Sequence, residues 1–448
     1  MILKVSKSAD PIWKKKFANV SKMTPEISKL IADMEETLEF SGGVGLAAPQ
    51  VGTPWRLFIV SVPQFHRRYK TLKAVKETFI NPKIRFLTKE ANIFDEGCLS
   101  IPGYRGPVSR PKELEIEYLN KKFEKKKIVA TGFLARVIQH ESDHLNSIFY
   151  TQRVAKKEEI YKFEPIRIVF FGTPQFSEII LKSIIGLSIF GEYEIPLVVT
   201  RADKKVGRNK ILTMSPVKKL AASFSIKVET PQTLKDNQTL IKTLKEIKPD
   251  LIILASYGKL LPKEILEIPK FGSLNVHPSL LPKYRGASPI QTAVSRGEKE
   301  TGVTIMLMNE KLDEGDILSQ GLVPIDTTDT YLSLSKKLAL ATTKLLNQTT
   351  FAWVTKQIKA VAQNPKKATY TKLLKKGDGF IDWKKPPENL EKMIRAFYPW
   401  PGVWSKLKVN KKELIIKLLP ERKVQLEGKS PVSLEDFKRG HPDFTLDW

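Results

Sequence analysis

Only one cysteine, Cys98, and five histidines occur in the 448 residues of this chain. A single thiol excludes an internal disulfide and suits a reducing cytosol. No apolar run approaches the ~18 residues of a membrane span, so no membrane is expected as a partner. The first residues, MILKVSKSADP, lack the apolar stretch of a secretion signal, and the expected location is cytoplasmic. Internal repeats and low-complexity tracts are absent. Acid is in short supply, with 48 Asp and Glu against 75 Lys and Arg, a formal charge of +27. Such an excess of positive charge favours a polyanionic partner such as RNA, the ribosome or DNA. The 41 % hydrophobic and 27 % charged composition rules out a wholly disordered chain. At roughly 150 residues per domain, about three domains are expected.

The pattern along the chain changes twice. Residues 1–152 mix strand-like runs such as RLFIVSV and LEIEYL with two helices. The first is capped by Thr24, opens on Pro25 and carries Ile27, Leu30, Ile31, Met34 and Leu38 on one face. The second should run from about Phe133 to Asn146. Residues 153–165 read as a polar linker. From Ile166 the runs RIVFFGTP, IPLVVT, KPDLIILAS and GSLNVHP alternate with helical patterns, which predicts an α/β domain with a parallel sheet over 166–360. It has no GxGxxG, so no dinucleotide is inferred. Residues 366–448 read as a small, basic, β-rich third domain.

His140-Glu141-Ser142-Asp143-His144 is an HExxH. On a helix, positions i and i+4 share a face, so both imidazoles can hold one metal with the glutamate beside them as acid/base. The lone thiol stands in Glu96-Gly97-Cys98-Leu99-Ser100 and could supply a third ligand, leaving a fourth position for water. Upstream, Gly43 to Gln50 reads GVGLAAPQ, a small-residue loop ending in an amide. Each of these segments has an ordinary alternative: a solvated helix, a small buried thiol, a tight turn.

Together, GVGLAAPQ, EGCLS and QHESDHL in this order resemble peptide deformylase, an α+β metallohydrolase family. The resemblance covers about residues 1–150. It implies Cys98, His140 and His144 as metal ligands and Glu141 as general acid/base. The Gln50 amide and the Leu99 backbone N–H would stabilise the oxyanion. It also implies Fe(2+), with Zn(2+) or another divalent ion chemically acceptable, and nascent formyl-Met polypeptides, at the ribosome, as substrate. Ser147 departs from the family pattern, which has glycine there.

A second constellation is Asn275 and His277 in LNVHPSLLP, with Asp313 in KLDEGD. An amide, an imidazole and a carboxylate are the groups that acyl transfer between amines needs, although each alone is common in turns or cores. RIVFFGTPQFS, LIILASYGKLLP, NVHPSLLPKYRGASPIQ, TGVTIMLMNEKLDEGDIL and RAFYPWPG make residues 166–448 resemble methionyl-tRNA formyltransferase. The resemblance implies a Rossmann-like catalytic domain followed by a small OB-like barrel, trimmed after Leu418. Asn275, His277 and Asp313 take its catalytic positions. Ser279, Leu280, Leu281 and Pro282, with Tyr257 and Gly258, take its folate-binding positions, for 10-formyltetrahydrofolate as co-substrate. Between Arg201 and Lys219 lie seven Lys or Arg and one acid. This is the place of the family's tRNA loop, so Lys204, Lys205, Arg208 and Lys210 become the candidate contacts to initiator Met-tRNA.

The sequence thus reads as one chain that adds and removes a formyl group. Two alternatives stay open at this point. One module could be inert and serve as a tRNA- or ribosome-binding platform, or the transferase could act on a sugar-nucleotide amine, because the HPSLLPxYRG core is shared with such enzymes.

Overall fold

In a computed structural model of the chain, the structure describes residues 1–62, 65–66, 69–70, 75–189, 191–206, 211–409, 412–442, 444 and 446–448. These residues form two compact units, Met1–Arg167 with Lys182–Ile195, and Ile168–Leu181 with Pro196–Trp448.

In the first unit, helix α1 spans Pro25–Ser41, with the Thr24 hydroxyl accepting from the Ile27 amide at 3.3 Å. Its predicted apolar stripe is the buried one: Ile27, Ile31, Met34 and Leu38 pack against Leu57, Ile59 and Ile80. Helix α2 spans Gly132–His144 and packs Ala135, Val137 and Ile138 against Phe58, Val60, Phe79, Leu114 and Ile116. Strand Leu57–Val62 therefore sends alternate side chains to opposite helices, the two-residue period of a pleated sheet covered on both faces. That sheet has five antiparallel strands, ordered Gly45–Ala47, Leu57–Val62, Val75–Phe86, Glu113–Leu119 and Lys125–Thr131. A second, three-stranded sheet pairs Ala91–Cys98 with Ile101–Pro111 and then Tyr161–Lys162. The segment expected as a linker thus contributes a short strand to this sheet.

The second unit is built on a seven-stranded sheet, ordered Val228–Glu229, Tyr193–Val199, Ile166–Gly172, Leu251–Ala255, Ser273–His277, Glu300–Leu307 and Ile317–Pro324. The pairings of Ile166–Gly172, Leu251–Ala255 and Ser273–His277 are parallel, as the alternating pattern predicts. Glu300–Leu307 pairs antiparallel with both Ser273–His277 and Ile317–Pro324, so the sheet is mixed and the expected parallel sheet is corrected. The reason is the connection. Glu300–Leu307 returns as Ile317–Pro324 through a short loop with no crossover helix, and a direct return can only pair antiparallel.

Towards the C-terminus, Val403–Val409, Lys412–Leu419, Lys423–Leu426 and Val432–Ser433 form a four-stranded antiparallel sheet. Among the described residues it does not close, which corrects the expected barrel. Four strands, the last only two residues long, are too few to bend a sheet back onto itself, and helix Leu434–Gly440 follows the edge instead. No helix among the described residues is long and apolar enough to cross a membrane.

Candidate active sites

The HExxH lies on α2, as its spacing requires. The rings of His140 and His144 are 4.8 Å apart and nearly perpendicular, both turned to one face. Strand Ala91–Cys98 reaches this face through an irregularity in its pairing between Glu96 and Cys98. Such a bulge re-aims the side chains at a strand end. It brings the Cys98 sulfur to 3.2 Å from His144 Nε2. The ligand atoms of Cys98, His140 and His144 all lie within 4.8 Å of one another.

Each donor is held by a neighbour. His140 Nδ1 is 2.9 Å from Glu96 Oε2, which leaves Nε2 for an ion. Glu96 also accepts from Arg110 Nε at 2.6 Å and Nη2 at 2.9 Å, and from Arg136 Nη1 at 2.6 Å. Burial works against a charged Glu96, but the bonds from Arg110 and His140 outweigh it and hold its carboxyl well below the usual carboxylate range. His144 is enclosed by Trp13 and Phe149, each ring 5.6 Å away. Burial pulls its pKa well below the ordinary imidazole value, so the ring is neutral and its lone pair is open to a metal. A thiol and two imidazoles converge here, with His140 oriented from behind by Glu96, and the donor set fits a divalent ion of the Fe(2+) or Zn(2+) kind.

Glu141 is 4 % exposed, and its Oε2 has no hydrogen-bond partner among the described residues. Burial pushes its carboxyl up to about 7. A buried carboxylate with an unused oxygen and a pKa near neutrality is suited to taking and returning a proton. Gln50 completes the group. Its Oε1 accepts from the Ala47 amide at 2.8 Å, which turns Nε2 toward Cys98 Sγ at 3.6 Å and Ser100 Oγ at 3.5 Å. Val44, Gly45, Gln50, Leu99, His140 and Glu141 line a cavity of about 180 Å³.

The second constellation also assembles. Asn275 and His277 sit at the carboxyl end of strand Ser273–His277, and Asp313 lies in the loop after Glu300–Leu307. Asp313 Oδ1 accepts from Asn275 Nδ2 at 3.2 Å and stands 3.5 Å from His277 Nδ1, while Oδ2 accepts from the Gly286 amide at 2.8 Å. His277 Nε2 is 2.9 Å from the Tyr284 carbonyl oxygen, which can only accept, so Nε2 carries a proton and Nδ1 is the nitrogen that faces Asp313. All three side chains are buried and border a cavity of about 540 Å³, a size suited to a small organic molecule.

Comparison with known proteins follows the same division. The polypeptide deformylase family model matches residues 2–159. The formyl transferase model matches 166–350, and the model of the formyl transferase C-terminal domain matches 373–422. The methionyl-tRNA formyltransferase of Caldanaerobacter subterraneus is 38 % identical over 312 residues, covering 63 % of this chain and 99 % of that one. The chain belongs to the methionyl-tRNA formyltransferase family and carries a deformylase domain before that part. The methionyl-tRNA formyltransferase of Bacillus subtilis is 42 % identical over 241 residues, 54 % of this chain and 74 % of that one. Among solved structures, the peptide deformylase from Thermotoga maritima is 33 % identical, with a TM-score of 0.31, covering 35 % of this chain and 99 % of that one.

In the formyltransferase module, Tyr257 and Gly258 line the cavity, whereas Ser279, Leu280, Leu281 and Pro282 do not reach its wall. Those four are held from behind. The Leu281 amide donates to Thr304 Oγ1 at 3.1 Å, and Ser279 Oγ donates to the Lys283 carbonyl at 2.7 Å. Lys204 and Lys205 lie on a hairpin, Lys204–Val206 paired with Ile211–Thr213, whose Ile211 and Leu212 are exposed. Arg208 and Lys210 lie outside the described residues. In the deformylase module, Ser147 adopts φ 57°, the left-handed region that favours glycine, and its hydroxyl donates to the Trp13 carbonyl at 2.9 Å. Sequence reasoning assigned no role to Glu96, Arg110 or Arg136. Arg136 stands four residues before His140 on α2, a spacing that could have flagged it. Nothing local marks Arg110.

Proposed function

We propose that this chain is a bifunctional enzyme that transfers formyl from 10-formyltetrahydrofolate to initiator methionyl-tRNA and hydrolyses the N-formyl group of formyl-Met polypeptides. The observation that carries the reading is the presence of both complete side-chain sets, Cys98–His140–His144 with Glu141, and Asn275–His277–Asp313.

In the deformylase module, Cys98, His140 and His144 would hold a divalent ion, Fe(2+) or Zn(2+), which lowers the pKa of water and polarises a carbonyl. Glu141 takes the proton from the attacking water and returns it to the amine that leaves. The Gln50 Nε2 and the Leu99 backbone N–H donate to the formyl oxygen as it gains charge. Burial of Glu141 keeps its carboxyl basic enough to accept the proton and acidic enough to give it back.

In the formyltransferase module, the folate occupies the cavity beside Tyr257 and Gly258, with the Ser279–Pro282 loop fixing its walls from behind. Asn275 donates to the formyl oxygen. His277, paired with Asp313, moves the proton from the attacking methionine amine towards the departing folate nitrogen. Lys204 and Lys205, on the paired strands Lys204–Val206 and Ile211–Thr213, together with Arg208 and Lys210 of the same basic segment, meet the phosphates of the tRNA. Nascent chains at the ribosome and a cytoplasmic location complete the reading. The test is to supply the purified chain with 10-formyltetrahydrofolate and methionyl-tRNA or an amino sugar, and separately with a formyl-Met peptide. Formyl-methionyl-tRNA and free formate are expected, with His277→Ala losing the first product alone. Formylation of the sugar instead, or absence of either product, overturns the reading.

A further inference from the structure

The sequence placed 361–365 between two domains and gave it no part in the chemistry, yet Gln363 reaches the formyl-transfer centre. Its Nε2 donates to the backbone carbonyls of Asp313 at 2.9 Å and Gly315 at 2.7 Å. Its Oε1 accepts from Arg285 Nε at 3.1 Å and Nη2 at 2.8 Å. Every partner of the amide nitrogen is an acceptor and every partner of the amide oxygen is a donor, so one orientation of the amide satisfies the whole set.

These bonds converge on a residue in an unusual conformation. Asp313 has φ 54°, the left-handed region, which is uncommon for a residue other than glycine and persists where its surroundings hold it there. Gln363 grips the carbonyls on either side of Glu314, fixing the turn from the back. On the front, the Asp313 carboxylate accepts from the Gly286 amide, and Gly286 follows the Arg285 that Gln363 also holds. The amide of Gln363 therefore fixes both the backbone of Asp313 and the strand that receives its carboxylate. Arg285 itself is 3 % exposed and ion-paired to Glu314 at 3.1 Å, so it is a firm anchor.

We propose that Gln363 is a positioning residue of the formyl-transfer site, holding the Asp313 turn so that its carboxylate stays against Asn275 and His277. It touches neither substrate. Loss of its donors frees the turn to relax by the order of 1 Å, a displacement that costs roughly 10²-fold in rate when the displaced group takes part in the chemistry. The cavity wall at Tyr257 and Gly258 and the hairpin at Lys204 and Lys205 do not depend on this bond, so substrate binding should hold.

The inference rests on the formyltransferase reading above. Gln363→Met removes all four bonds at similar volume, and Gln363→Glu keeps the acceptor for Arg285 while turning carboxylate oxygen toward the two carbonyls. For both variants kcat for formyl-methionyl-tRNA synthesis should fall about 10²-fold, with KM for folate and for tRNA within about twofold of wild type. Deformylation of a formyl-Met peptide by the same chain should be unchanged, and the circular-dichroism melt should stay cooperative, lowered only by the loss of these bonds. Retained kcat, or a rise in KM at unchanged kcat, overturns the proposal. So does loss of deformylation and of the melt in both variants, which would make Gln363 a determinant of the fold. A wild-type chain that makes no formyl-methionyl-tRNA would instead sink the underlying reading.

Discussion

Gly45→Ala should silence the deformylase module while leaving the rest of the chain in working order. A Cβ built on Gly45 would stand 2.7 Å from both Cγ and Cδ of Glu141. Carbon atoms pack at about 3.5–4.0 Å, so one partner must retreat by about 1 Å. Which one yields is decided by their surroundings. Gly45 begins a buried strand paired with Leu57–Val62, opposite Val60, and moving it would disturb the sheet. Glu141 is a side chain with an unbonded oxygen at Oε2, so the carboxylate moves. Overpacking a core costs about 1–3 kcal/mol, and the lower end applies where a side chain can swing aside. A 1 Å misplacement of a reacting group costs roughly 10²-fold in rate, about 2.7 kcal/mol of barrier. Catalysis should therefore suffer more than stability. The assay is kcat for a formyl-Met peptide, read beside the metal-to-protein ratio, the melting temperature and formyl transfer. Because Gly45 is not a metal ligand, metal content should match the wild type. Full kcat would refute the argument. Loss of metal along with activity would refute it equally, by showing that the strand had moved and not Glu141.

Four further outcomes follow from the same geometry. Glu141→Gln should reduce deformylation by about 10²–10⁴-fold, the range for loss of a general acid/base, while metal content and formyl transfer stay intact; metal loss would make Glu141 a ligand. Arg110→Met leaves Glu96 and Asp143 short of a buried cation, so stability should drop by about 3–5 kcal/mol in denaturant titration and metal affinity by about 10–100-fold; an unchanged metal affinity would separate Glu96 from the positioning of His140. Neutralising Lys204, Lys205, Arg208 and Lys210 should raise KM for methionyl-tRNA, leave KM for folate alone and flatten the salt dependence; an unchanged salt slope would make the hairpin a bystander. With transfer silenced by His277→Ala, kcat/KM for a formyl-Met peptide should exceed that for formyl-methionyl-tRNA by up to ~10⁴, because an ester to ribose lacks the next backbone N–H; comparable values would refute this.

What could be read in the sequence was whatever one element encodes by itself. The Thr24–Pro25 start and the stripe from Ile27 to Leu38 define α1, and the i, i+4 spacing of His140 and His144 defines a shared face. Motif order then told which segments belong together, and both side-chain sets named from it, Cys98–His140–His144 with Glu141 and Asn275–His277–Asp313, assemble. The Ser279–Pro282 loop is different. Its residues face Thr304 and Lys283 instead of the cavity, because which side of a loop turns inward depends on the strand behind it.

The sequence by itself determined, through its motifs, which segments carry the two side-chain sets, and, through spacing along one helix, the shared face of His140 and His144. Tertiary structure alone decided how those residues are held. The bulge that turns Cys98 toward His144, the Arg110–Glu96–Arg136 cluster behind His140 and the reach of Gln363 to Asp313 all join distant segments. A polar residue buried by such a meeting leaves no periodic trace, because its partner lies on another element and only the packing of sheet faces brings the two together. The same holds for the antiparallel edge of the second sheet and the open C-terminal sheet. Strand direction and closure are set by how segments connect and how many there are, whereas local hydrophobicity sets only that a strand exists.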